Sequence, residues 1–192
     1  MGVFLREFSH FYNCFLNLTQ PSLPQLPFRF ADYTNWQNKK PEGSDDSTIS
    51  FWKNNLAAPL PVLELPTFKT RPSIPTFEGS GVSFSMEHST SSRLSSLARD
   101  EDTTLFTLLL GVYYILLYKY SSQKDIIIGS PVANRNSSEL ENIIGFFLNM
   151  VPFRINYCEE TSFKQLLEGL KEITRDVFAH QSIPFDRLVE II

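Results

Sequence analysis

Five of the chain's twelve prolines, Pro59, Pro61, Pro66, Pro72 and Pro75, fall within residues 59–78. Proline locks φ and has no N–H to donate, so a run this dense suits neither a helix interior nor a central strand. It reads as a stiff, extended connector. Whatever packs into a core must come from the flanks, residues 1–58 and residues 79–192. The whole chain, at 192 residues, has the length of one ordinary domain or of a piece of something larger, and falls short of two full domains.

The first flank is helical in pattern. Phe4, Leu5, Phe8, Phe11, Tyr12, Phe15 and Leu16 recur at steps of three and four, which predicts an amphipathic helix over 4–16 with an aromatic face that something must cover. No capping residue precedes it, an unusual start for a domain. The prolines of TQPSLPQLP (19–27) favour extended chain. A short helix is expected over Phe30–Trp36, a polar loop over 37–48, and a third helix over 49–57.

The second flank has the texture of an α/β unit. Val82, Phe84 and Met86 alternate with Ser83 and Ser85, the period of a half-buried strand, and Ser89 or Thr90 offers an N-cap for a helix through Arg99. The segment Thr104–Tyr120 is apolar nearly all round and predicts a central helix. Ile126–Ile128 reads as a short strand buried on both faces and closed by Gly129 and Pro131. In a further strand, Val151, Phe153, Ile155 and Tyr157 share a face, with Pro152 marking an edge or a bulge. Ser162 and Gln165 have capping-box spacing at the head of a last helix that runs to His180. Pro184 and Phe185 should end that helix and refill the core.

Composition narrows the function. Lys plus Arg is 17 against 21 for Asp plus Glu, a net charge of −4, which gives no electrostatic basis for binding nucleic acid. Cys14 and Cys158 lie too far apart in sequence to suggest a CxxC pair or a disulfide framework, so a cytoplasmic location is expected. The start MGVFLREFSHFY fits neither a secretion signal nor, with Arg6, a myristoylation site. The longest apolar stretch, Leu105–Tyr118, falls short of the roughly 18 residues a span needs, so no membrane partner is expected. His10, His88 and His180 have no partner at metal-ligand spacing, and no metal site is expected. GxSxG, P-loop and GxGxxG motifs are all absent. By motif chemistry alone the chain is an α/β protein.

Longer segments say more. ADYTNW (31–36), LELPTFKTRP (63–72), IIGSPVANRNSSELENIIGFFLNMVPFR (127–154) and HQSIPFDRLVE (180–190) occur in this order. Together they resemble the condensation domains of nonribosomal peptide synthetases. Members carry a YADYAVW-like stretch, an LELPTDRPRP-like connector, a GTPVAxR strand and loop, a GFFVNT-like segment and an HQDYPFE-like segment. The opening GVFLREFSHFY resembles the helix that follows the family's active-site motif, so the resemblance covers essentially the whole chain. Departures are Phe68 where Asp is usual, Met150 where Thr is common, and Ser182-Ile183 where Asp-Tyr is typical.

The resemblance implies a chloramphenicol-acetyltransferase-like α/β fold of two lobes, incomplete in this chain. Residues 1–58 would be the tail of the first lobe, 59–78 the connector and 79–192 the first part of the second. A tunnel between the lobes would admit the phosphopantetheine arms of two carrier-protein domains, as substrates and not as bound cofactors. The family is an acyltransferase family that forms amide bonds between carrier-bound aminoacyl or peptidyl thioesters. Its HHxxxDG signature is expected upstream of Met1 and its closing segments beyond Ile192, so no catalytic residue is assigned here and the chain alone is expected to be inactive. Its expected partner is a polypeptide bearing the N-terminal half of the domain.

The residues that the resemblance marks for the substrate tunnel or for positioning are Asn149, Arg135, His180 and Gln181. Each has a structural alternative: Asn149 as a turn cap, Arg135 as a solvated loop side chain, and His180 as a helix C-cap. Gly145, beside Phe146 and Phe147, is read as a packing glycine. A noncatalytic remnant or carrier-protein interaction module is the alternative function, and an unrelated acyltransferase, lacking any evident base, ranks last. Exposed apolar surface on the 4–16 helix should promote self-association at micromolar concentration.

Overall fold

An antiparallel pair of strands, β1 (Asp125–Val132) and β2 (Asn149–Asn156), organises the molecule, with Ile126 opposite Ile155 and Ile128 opposite Phe153. The computed structural model describes residues 1–39, 46–68, 72, 74, 76–157 and 161–192. Residues 40–45 of the expected loop, Pro75 of the connector and Cys158 lie outside the described residues. Alternation along the strands puts Ile126, Ile128, Val151, Phe153 and Ile155 on one face, and all five are buried. Both strands run longer than their apolar cores suggested, and Gly129 and Pro131 lie inside β1 instead of closing it. Pro152 enters the register opposite Gly129 without a bulge. The described sheet has two strands, so both are edge strands, where proline is tolerated.

Seven helices surround this pair among the described residues: α1 (Gly2–Leu16), α2 (Phe30–Asn38), α3 (Asp46–Asn55), α4 (His88–Asp100), α5 (Leu105–Ser121), α6 (Phe163–Ala179) and α7 (Phe185–Ile191). The capping box of α6 forms as its sequence spacing predicts: Ser162 Oγ accepts the Gln165 N–H at 3.3 Å, and Gln165 Oε1 accepts the Ser162 N–H at 2.9 Å. Thr104 caps α5 through the Thr107 N–H at 3.1 Å. Leu166, Leu170 and Val177 of α6 and Leu110, Tyr114 and Leu117 of α5 join the sheet residues in one core. Trp52 and Leu56, from α3 and its end, share that core, and the Trp52 indole N–H donates to the His180 carbonyl at 2.9 Å.

Several expectations are corrected. Residues 82–86 form no strand, and Val82 and Phe84 are 89% and 85% exposed. Alternation gives a segment two faces, but a strand also needs a neighbour for its N–H and C=O groups, and no described strand lies alongside. Helix α5 is buried on one side only. Leu109, Val112, Tyr113 and Leu116 face outward, because α4, α6 and β1 pack against the other side. Helix α4 starts at His88 with Glu87 at its N-cap, ahead of the expected Ser89 or Thr90, and α3 starts at Asp46 and ends at Asn55. Phe185 is 45% exposed and opens α7; Ile183 and Leu188 fill the core in its place.

Helix α1 forms as its periodicity predicts, and none of its residues is buried; the Phe4, Phe8 and Phe15 side chains are exposed. No single helix among the described residues is long and apolar enough to cross a membrane. The connector leaves α3 through a cis Ala58–Pro59 peptide and forms neither helix nor strand where described.

Arg154 fastens the connector to the sheet. Its guanidinium donates to both carboxylate oxygens of Asp125 at 2.7–3.2 Å, and to the carbonyls of Asn55, Ala57 and Pro59 at 3.3, 2.7 and 3.2 Å. A planar fork can serve all of these acceptors, whereas an ammonium is a point charge. Arg154→Lys should therefore lower unfolding free energy by about 2 kcal/mol. Lys164→Ala, which removes an exposed pair to Glu101, should cost less than about 1 kcal/mol. Urea midpoints of the two variants measure the difference.

Candidate functional site

A cleft of about 650 Å³ opens between the C-terminal half of α2, the segment 146–150 and the segment 182–187. Its wall depends on Asn149, the first residue of β2. Register puts Asn149 on the same side as Val151 and Phe153, so its amide is turned inward and is only 8% exposed. There it meets the backbone between α6 and α7, where helix ends leave polar groups without intrahelical partners. The Asn149 Nδ2 donates to the carbonyls of Gln181 and Ile183 at 3.0 and 2.8 Å, and its Oδ1 accepts the Phe185 N–H at 3.0 Å. Both amide donors are engaged with protein. In this arrangement Asn149 holds the 181–185 backbone against β2.

Arg135 is not a solvated loop side chain. Its guanidinium donates to the carbonyls of Leu140 and, at 3.0 Å, Ile143, and lies 4.2 Å from the Phe147 ring centroid. It thereby fixes the loop with the 3₁₀ turn Ser138–Leu140, while Phe147 stays buried against Phe30 and Tyr33. Gly145 packs as expected. A Cβ there would fall 2.6 Å from Cγ of Phe30, closer than a carbon can stand, so glycine lets the segment that precedes β2 approach α2.

His180 caps α6. Its Nδ1–H donates to the Asp176 carbonyl at 2.8 Å, and its ring stacks on Phe51 with centroids 4.1 Å apart. The Gln181 amide donates to the Phe178 carbonyl at 2.9 Å. Thus Asn149 lines the cleft, Gln181 is tied to it through its own carbonyl, and Arg135 supports it through Phe147. His180 faces α3 and lies outside the cleft lining.

Sequence reasoning missed several wall residues, notably Tyr33, Asn134, Phe185 and the exposed row Phe146, Leu148 and Met150. The signal for that row was present: Phe147 and Asn149 are buried between its members, the alternation of extended chain. Tyr33 and Asn134 carry none, because their meeting depends on how α2 docks. Burial raises the Tyr33 phenol above its ordinary pKa, partly offset by a hydrogen bond with Asn134.

With this α/β scaffold and its cleft between a strand end and a helix–helix joint described, comparison with known proteins identifies the family. The model of the condensation domain matches residues 1–192, and the chain belongs to that family. It is 38% identical over 192 residues to tyrocidine synthase 3 of Brevibacillus parabrevis, spanning 98% of this chain but 3% of that protein. It is 36% identical over 190 residues to surfactin synthase subunit 1 of Bacillus subtilis, across 99% and 5%. Among solved structures, holo-AB3403, a four-domain nonribosomal peptide synthetase, matches with TM-score 0.80 and 33% identity over 84% of this chain and 12% of its own. The X-domain from teicoplanin biosynthesis shares the fold, with TM-score 0.86 and 24% identity over 98% of this chain and 43% of its own. The fold is thus the chloramphenicol-acetyltransferase-like α/β fold of condensation domains, of which this chain carries part.

Asn149→Ala should strand the Phe185 N–H and two carbonyls. We expect a loss of about 2–4 kcal/mol in unfolding free energy, with the amides of Gln181, Ser182, Ile183 and Phe185 exchanging hydrogen faster while those of α5 do so far less. Hydrogen-exchange mass spectrometry resolves the two regions.

Proposed function

We propose that this chain forms one wall of a condensation-domain tunnel, in which a carrier-bound amine attacks a carrier-bound thioester. The new C–N bond replaces the C–S bond, the sulfur leaves as a thiol and the amine gives up a proton. The observation that carries the reading is a coincidence: the family match covers residues 1–192, and the cleft is walled by GFFLNM (145–150) and by SIPFDR (182–187) of the HQSIPFD segment. A thioester is already electrophilic, so the demand on the protein is to hold two reactants together and manage charge. Asn149 would keep the wall in place, with Arg135, His180 and Gln181 bracing the segments on either side.

On this reading the partners are carrier-protein domains, whose phosphopantetheine arms are substrates, and a polypeptide that supplies HHxxxDG. The division into residues 1–58, 59–78 and 79–192 follows the two lobes and their connector, with α3 packing across it. The working compartment is the cytoplasm, and the apolar face of α1 drives self-association when the partner is missing. A noncatalytic interaction module is the second reading. It is favoured by one observation: none of His10, His88 and His180 lines the cleft.

A condensation assay with loaded donor and acceptor carrier proteins separates the two. It is run on the chain alone and on the chain mixed with a polypeptide bearing the HHxxxDG half. The expected outcome is product only in the mixture. Absence of product despite demonstrated association of the two polypeptides would favour the interaction module.

A further inference from the structure

The lining of the cleft divides by chemistry. Phe146, Leu148 and Met150 supply an apolar row, whereas α2 contributes Tyr33, Gln37 and Asn38, which are polar and uncharged. The charged lining residues, Asp186 and Arg187, belong to neither group and lie at the start of α7. Tyr33 and Gln37 stand four residues apart on α2 and so share one side of the helix. The Tyr33 ring is held in place: it packs on Phe147 with centroids 4.8 Å apart, and its phenol is hydrogen-bonded with Asn134. Gln37 is half-buried, yet its side-chain amide makes no hydrogen bond among the described residues. By contrast, the side chains of Gln123, Gln165, Gln181 and Asn149 are all engaged with protein. A carboxamide partly withdrawn from water and without a protein partner is a group whose desolvation a ligand can offset.

We propose that Gln37 is a binding residue of the cleft, and that beside the Tyr33 phenol it takes up a secondary amide of an extended ligand. The proposal rests on the tunnel reading above and adds the chemical group that is held and the residue that holds it. A carboxamide carries both an acceptor and donors, so it can accept from the N–H of a secondary amide or donate to its carbonyl. The α2 lining also fits a neutral group. A carboxylate or an ammonium placed there would lose water without meeting a counter-charge on that helix's lining residues. The apolar row offers the methylenes of the same ligand a surface to lie on. Secondary amides occur in a pantetheine arm and in the backbone of a peptidyl substrate, and the test separates these two sources.

The test uses the full chain labelled with ¹⁵N, with Gln37→Leu assigning the Gln37 side-chain NH2 resonance by its loss. The amide probes are pantetheine and, as a peptide fragment, N-acetyl-leucine methylamide. Each is paired with an analogue of equal length whose amides are replaced by ether links. The Gln37 resonance should move with pantetheine or with the peptide fragment, and the probe that moves it names the source of the amide. For that probe Gln37→Leu should weaken binding about five- to tenfold, whereas binding of its ether analogue should change less than about twofold. Gln37→Met, closer in shape to glutamine, serves where the leucine variant loses its fold. A Gln37 resonance unmoved by both amide probes, or an equal loss for a probe and its ether analogue, would overturn the proposal. Condensation by the mixed polypeptides with KM unchanged in both Gln37 variants would sink this proposal alone, whereas a shifted Gln37 resonance without condensation would sink the tunnel reading alone.

Discussion

The guanidinium of Arg154 is the point on which the sheet, the end of α3 and the start of the connector all depend. The last carbonyls of a helix lack intrahelical donors and carry the negative end of its dipole. Three carbonyls in and just beyond that end, those of Asn55, Ala57 and Pro59, converge on one cation. Holding that cation away from bulk water would be costly without a counter-charge, which Asp125 supplies from the neighbouring strand. The hydrogen bond with Asp125 raises the Arg154 pKa above its ordinary value, against the opposing effect of burial. Asp125 and Arg154 lie on the sheet face opposite Ile126, Phe153 and Ile155. The core packs one face, and this ion pair closes the other.

A second tie acts farther along the connector. The Gln123 side chain accepts the Glu64 N–H at 2.7 Å and donates to the Val62 carbonyl at 2.8 Å, imitating a strand neighbour for one residue pair. Prolines remove donors, and the two groups that Gln123 pairs belong to residues between them. With Arg154 at one end and Gln123 a few residues on, the early connector has a fixed path along the second flank. The same pattern recurs at the cleft. Asn149 and Arg135 each commit their polar atoms to backbone carbonyls or amides of irregular segments, where secondary structure offers no partners.

Much of this was legible in the sequence wherever the cause is local. The α6 capping box, the period of α1, the strand face of Val151, Phe153 and Ile155, and the close packing at Gly145 all follow from residue types at short spacing. Ordered motif matches made the family legible as well. What failed depended on neighbours. Val82, Phe84 and Met86 alternate correctly but have no strand beside them among the described residues, and α5 is apolar on both sides while one side alone is packed. Arg135 looked like a loop residue because nothing in its surroundings in sequence announces two carbonyls and an aromatic ring. The Arg154–Asp125 pair was invisible for the same reason, as its value arises only when β1 and β2 pair in register.

These polar commitments also limit what the cleft can do. Its one deeply buried amide is engaged, and its exposed row is apolar. His180, the histidine nearest in sequence to the wall, stacks on Phe51 outside it. Apolar fit along that row distinguishes ligands by shape, and the titratable side chains of the lining, Tyr33, Asp186 and Arg187, stand on other parts of the wall. On the tunnel reading proposed above, this wall positions reactants and proton management falls to other groups of the tunnel. Such a division suits a reaction whose electrophile needs no activation: positioning can be built from a rigid, hydrogen-bonded wall, and acid–base chemistry can be placed across the tunnel from it.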